Sequence, residues 1–251
     1  MSVESIIVIF IALAVGSIGK AITGFGLPLI AIPVAAAFID VETAVVVMVI
    51  PSSLTNLWLL WEHRASAGKI DRFWPMLAAG VCGIVLGTWL LSELNENVLS
   101  LLMAFWIAVY LLNLSFRGGI RLPVHLARHL SPPVNFVAGI FQGATGIAGP
   151  IIVTYLHALR LAPGHHVFVV SAIFLSFGAA QVTSMATLDL FSLDRLWLSL
   201  MALIPVVLTM PLGLRLGRVI DRKAFDATVI VLLIGTGGKL VWNGIAGLLA
   251  G

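Results

Sequence analysis

Thr23-Gly24-Phe25-Gly26-Leu27-Pro28-Leu29-Ile30 and Thr145-Gly146-Ile147-Ala148-Gly149-Pro150-Ile151-Ile152 are two versions of one stretch, 122 positions apart. Each opens with a Thr-Gly pair, passes through another glycine, and reaches a proline that begins an apolar run. Glycine inside a long apolar segment lets the chain break, and proline suits the first turn of a helix that restarts. Such a helix presents unsatisfied amide N–H groups and the positive end of its dipole. In the middle of a membrane, two of these ends form a ready site for an anion.

A membrane is what the composition demands. Of 251 residues, 60% are hydrophobic and 10% charged, with mean hydropathy +1.11. A soluble domain of this length could not hide that much apolar surface. Nucleic acid is not an expected partner, because the net charge is only +3 and the basic residues are scattered through short loops. A single cysteine, Cys82, excludes an internal disulfide and a cysteine-based metal cage. Met1-Ser2-Val3-Glu4 lacks the basic region of a secretory signal, so the first apolar stretch is expected to be retained as a span. The expected location is the inner membrane, with multiple passes.

Apolar segments of bilayer length fall at about 5–38, 43–61, 73–92, 97–116, 133–159, 165–187, 193–214 and 224–249. The first is too long for a simple span, since 34 residues would reach ~51 Å against a ~30 Å hydrocarbon core. The glycine break accounts for the excess, as a kink or as a helix followed by a re-entrant half. That choice decides whether the two halves lie parallel or inverted. The similarity continues past the break: Ile70-Asp71-Arg72 matches Leu193-Asp194-Arg195, and alignment of the fourth and eighth spans sets Asn113 opposite Lys239. The fold predicted is all-α and polytopic, about eight transmembrane helices in two four-helix repeats with broken or re-entrant first helices. The first repeat covers 1–116, a basic linker 117–132, and the second repeat 133–251.

All eleven acidic residues lie outside the middles of these spans, whereas Lys20 and Lys239 lie within them. A charge at the bilayer centre costs at least ~2.5 kcal/mol, so it normally faces protein or a wet path. Lys20 precedes the first break, and Gln142 takes the same place before the second. Cations without acids at their depth suit a negative substrate. The residues expected to bind it are Lys20, Thr23, Gly24 and Gly26 at one break and Gln142, Thr145, Gly146 and Gly149 at the other. Ser52 and Asn56, from the polar cluster after Pro51, and Lys239 complete the set. Each has a structural alternative: lysines snorkel, glycines pack helices closely, and hydroxyls bond their own backbone.

With its N-terminal glycine-rich break, Pro33, Ala44 at the start of the second span, and a second copy at Gly143–Pro150, the chain resembles the TauE/SafE family. The family's three consecutive glycines read here as Gly26-Leu27-Pro28 and Ala148-Gly149-Pro150. The resemblance covers essentially the whole chain, and implies export or uptake of sulfur-containing anions such as sulfite or organosulfonates. The residues alone imply an anion. The function expected is a transporter in which two repeats alternately expose one site; the alternatives are an anion channel and a membrane-embedded metalloenzyme. For the last, His125 with His129, and His165-His166, supply too few ligands for a di-iron centre. No nucleophile motif or intramembrane acid–base pair supports an enzyme, and no cofactor is expected. The expected partners are a small anionic substrate, the lipid bilayer, and a second copy of the chain in a homodimer.

Overall fold

The computed structural model describes residues 3–23, 26–68, 73–115, 124–216 and 222–250. Its regular elements are helices: α1 (Val3–Thr23), α2 (Gly26–Ala36), α3 (Val41–Glu62), α4 (Phe73–Glu93), α5 (Glu96–Ser115), α6 (Val124–Thr145), α7 (Gly149–Ala158), α8 (Pro163–Thr187), α9 (Leu193–Leu216) and α10 (Arg222–Ala250), with one 3-10 turn at Arg64–Ser66. Five of these, α3, α4, α8, α9 and α10, are long and apolar enough to cross a membrane. Ten helices replace the eight expected because the first and fifth apolar segments each divide in two. Gly24, Ile70-Asp71-Arg72 and residues 117–123 of the expected linker lie outside the described residues. The rest of that linker is helical: α6 starts at Val124 and carries Pro132 and Pro133 inside it. Proline forfeits a hydrogen bond there but holds a helical φ.

The first division is a reversal of direction rather than a kink. A Cβ built on Gly26 would lie 2.8 Å from the carbonyl carbon of Gly19 and 2.9 Å from the Lys20 nitrogen. One on Gly16 would lie 3.0 Å from the Leu27 carbonyl oxygen. Thus α2 runs back along α1, and only glycine fits where it is seated. At 11 residues, ~16 Å, α2 spans about half the hydrocarbon core.

The second division is built by glycine in the left-handed region. Gly146 has φ +71°, and its N–H donates to the Gln142 carbonyl at 2.8 Å, closing α6. Three residues later α7 begins, and its end returns toward the start of α8, where His157 packs edge-on against His166 with ring centroids 4.7 Å apart.

Close contacts fix the direction of each neighbouring helix. Ser17 and Thr209 share a hydrogen bond between hydroxyls, and a Cβ on Gly213 would lie 2.8 Å from the Ile18 Cα. So α1 and α9 run the same way. So do α4 and α6: Gly83 abuts Phe136 and Ile140, Gly87 abuts Ile140 and Ala144, and Gly143 abuts Ile84 and Thr88. This seam of small residues brings two backbones together, the usual adhesive where the hydrophobic effect is absent. In contrast, α3 and α8 run oppositely, with Ser53 against Gly178 and Ser66 against Gly164. The pair α5 and α10 also runs oppositely, with Asn97 against Gly247 and Ile107 against Gly237.

One face of the bundle is tied by polar groups. Both carboxylate oxygens of Glu96 accept from the Val41 N–H at 3.0 Å, and Glu42 pairs with Arg195 at 2.6 Å. The starts of α3, α5 and α9 therefore lie together. Deeper in, the Ser199 hydroxyl donates to the Val47 carbonyl at 2.7 Å. Two apolar cores result. One draws chiefly on α1, α2, α3, α5, α9 and α10, the other on α4, α6, α7 and α8. Outward-facing Ile11, Trp74, Leu208 and Val231 are left for lipid.

Candidate functional site

Between the two cores lies a small, partly open cavity. Leu29, Val45 and Met48 wall it from the first core, Ala148 and Phe174 from the second. Lys20 enters from the last turn of α1. It is 1% exposed, and among the described residues its ammonium donates to the Ser52 carbonyl at 3.5 Å. Among the described residues, no acid lines the cavity. Burying a charge without a partner is costly, which makes Lys20 the strongest indication of a missing negative group.

Opposite, α7 begins at Gly149 with no side chain capping it. Pro150 has no N–H to give, and Ile151 donates to Ala148 at 3.1 Å. Ala148 and Gly149, at the positive end of this ten-residue helix, border the cavity. The break is held from outside by α5: the Trp106 indole N–H donates to the Ile147 carbonyl at 2.8 Å, and the ring stacks on Phe141 at 4.0 Å. Thr145 is spent locally. Its hydroxyl donates to the Phe141 carbonyl at 2.7 Å and accepts from the Ile147 N–H at 3.3 Å. It supports the turn and does not line the cavity.

The remaining wall is polar and incompletely satisfied. The Ser52 hydroxyl and Asn56 Oδ1 are buried without a hydrogen-bond partner. Unpaired buried polar atoms of this kind point to a ligand or water, and the Asn56 amide, turned over, would offer N–H donors. Gln142 lines the cavity and is hydrogen-bonded to Gln181 of α8, Nε2 to Oε1 at 3.0 Å. Gln181 Nε2 in turn donates to the Gln142 carbonyl at 3.0 Å.

Of the residues expected from the sequence, Lys20, Ser52, Asn56, Gln142, Gly146 and Gly149 therefore share one cavity. Thr23 ends α1, and Gly26 is seated against its backbone beside Lys20. Lys239 stands apart. It is exposed, with its Nζ 3.6 Å from the centre of the Phe38 ring. Gln181, a polar group within a span that could equally have been structural, joins the cavity wall, and Phe174 was missed, since nothing in a helix's own sequence shows which neighbour its polar or aromatic side chain will meet. Among the described residues, no group of three or more His, Cys, Asp or Glu is placed to hold a metal. His165 instead bonds the Ser66 carbonyl at 3.0 Å.

Residues 8–240 match the family described as Sulfite exporter TauE/SafE. No curated protein and no solved structure gives a match to the chain.

Proposed function

The chain belongs to the sulfite exporter TauE/SafE family, and we propose that it carries a small sulfur-containing oxyanion or organosulfonate across the inner membrane by alternating access. The observation that carries this reading is Lys20, buried beside a cavity that among the described residues is lined by no acid and borders a bare helix N-terminus. The anion sits between the ammonium and the amides at Ala148–Gly149, with the Ser52 hydroxyl and the Asn56 amide as further donors. Charge-assisted hydrogen bonds of this type are roughly twice as strong as neutral ones.

The packing supports one assignment of the moving parts. If 1–116 and 124–250 are repeats, α1 to α5 correspond in order to α6 to α10. Under that exchange the α1–α9 pair becomes α6–α4, α3–α8 and α5–α10 map onto themselves, and the helix directions fit inverted halves. Each broken helix is thus paired with the fourth helix of the other half. The two bodies that rock are then α1, α2, α3 with α9, and α6, α7, α8 with α4, not the two halves of the sequence. The cavity lies where they meet, as inverted-repeat transport requires.

Binding is the direct test. Thermal shift of purified protein with sulfite, sulfoacetate, methanesulfonate, sulfate and chloride should show stabilisation by one or more sulfur anions, growing with concentration. It should disappear in Lys20→Met. Stabilisation that survives Lys20→Met unchanged removes this cavity from the function.

A further inference from the structure

We propose that the chain moves a proton together with its anion, and that the Lys20 amine is the group that carries it. This rests on the reading of the cavity as the anion site. While the anion is bound, ammonium and anion neutralise one another and the loaded cavity can cross between its two orientations. Once the anion leaves, the ammonium retains one carbonyl contact, to Ser52 at 3.5 Å, on a side chain almost wholly withdrawn from solvent.

Among the described residues, no other charge is placed to replace the anion: none of those lining the cavity is Asp, Glu, His or Arg. The sequence of α2 has no titratable residue. On α3 the acids Glu42 and Glu62 stand in the first and last turns. On α9, Asp194 and Arg195 are at the start and Arg215 is in the last turn. The histidines of α6, His125 and His129, and those of α8, His165 and His166, belong to the opening turns, and His157 to the last turn of α7. Tyr155, on α7, makes its own interactions and does not line the cavity. An empty cavity holding an ammonium must therefore carry an unneutralised charge through a low-dielectric interior, the least favourable state available to it. Lysine has an alternative that arginine lacks, because its ammonium can lose a proton whereas a guanidinium in practice cannot.

The cycle balances. Neutral amine takes a proton from one side and becomes ammonium; the anion binds; the neutral pair crosses. The anion departs, the N–H bond gives its proton to water on the same side, and the amine returns neutral. One anion and one proton move together in each turn. Transport of a monovalent anion is electrically silent, and a dianion carries one net negative charge.

The experiment uses full-length protein in liposomes with an entrapped pH dye, equal pH on both sides, and an inward gradient of methanesulfonate or sulfoacetate. Methanesulfonic acid is too strong to ferry a proton itself, whereas the sulfoacetate carboxylate can bind one, so the proton count is read with methanesulfonate. Expected is acidification of the lumen in step with anion uptake, one proton per anion, with no anion inside to exchange. Lys20→Arg should still bind the anion by thermal shift and exchange it for internal anion, while net uptake and acidification are lost. Uptake without proton movement, uptake that requires an internal anion, or proton-linked net uptake by Lys20→Arg would overturn the proposal and leave the anion site standing. If wild-type protein is neither stabilised by nor takes up any of the sulfur anions, the anion site falls and this inference with it.

Discussion

The side-chain amides of Gln142 and Gln181 join α6 to α8 across the cavity wall, Gln142 Nε2 donating to Gln181 Oε1 at 3.0 Å while Gln181 Nε2 caps the Gln142 carbonyl at 3.0 Å. Gln181 is 1% exposed, so neither bond has water as a ready substitute. Replacing Gln181 by Leu strands the Gln142 amide and should cost ~1–3 kcal/mol. Melting of the purified protein measures this. The double variant with Gln142→Leu should recover part of the loss, because no unpaired amide then remains. A fully additive loss would contradict the pairing.

Close approach of α4 and α6 leaves no room for side chains. A Cβ at Gly143 would lie 2.5 Å from the Thr88 nitrogen and Ile84 oxygen, and one at Gly139 would collide with the Gly80 carbonyl. Gly139→Val should cost more than the ~1–3 kcal/mol of ordinary overpacking, since backbone cannot swing aside. Gly235→Ala, with nothing within 4 Å, should leave the melting curve near wild type or raise it slightly. Equal behaviour of the two variants would refute the seam.

Gly146 combines two demands. Its φ of +71° disfavours any side chain by ~1–2 kcal/mol, and an added Cβ would also strike the Ile32 Cδ1. Gly146→Ala should impair anion affinity more than stability, since the turn it distorts leads into Ala148 and Gly149. Adding Ile32→Val relieves the collision but not the φ, so recovery should be partial. Full recovery would show that backbone conformation is irrelevant there.

Lys239 tests whether position or charge matters. Exposed over the Phe38 ring, it lies outside the cavity, and Lys239→Met should lose only the ~0.5–1 kcal/mol of an exposed cation–π contact. Anion uptake by that variant should match wild type. If uptake vanished with folding intact, Lys239 would belong to the path.

What could be read from the chain was set by local chemistry. Thr-Gly with a following proline marks a break wherever it stands, and a lysine amid apolar residues needs a polar destination. Both are visible in one dimension, which is why Lys20, Gln142 and Gly149 could be named in advance. Pairing between distant helices is not visible in that way. Gln181 becomes part of the wall only because α8 packs on α3 and α4, and Lys239 leaves it because α10 packs on α5. The same threonine hydroxyl can face a ligand or its own backbone, and Thr145 takes the second course. The reversal at Gly26 was equally hidden, because a kink and a hairpin call for the same glycines.

The exchange of helices between the two ends of the chain has a consequence for biogenesis. Ser17 finds its partner in Thr209, 192 residues further on. At ~5–20 residues per second, a ribosome needs about 10–40 s to reach that point. During this interval the first hairpin waits in the membrane with the face meant for α9 turned to lipid or to the insertion machinery. The nascent protein is therefore most vulnerable before α9 emerges, and a chain halted after α5 lacks the helix that covers that face of the hairpin.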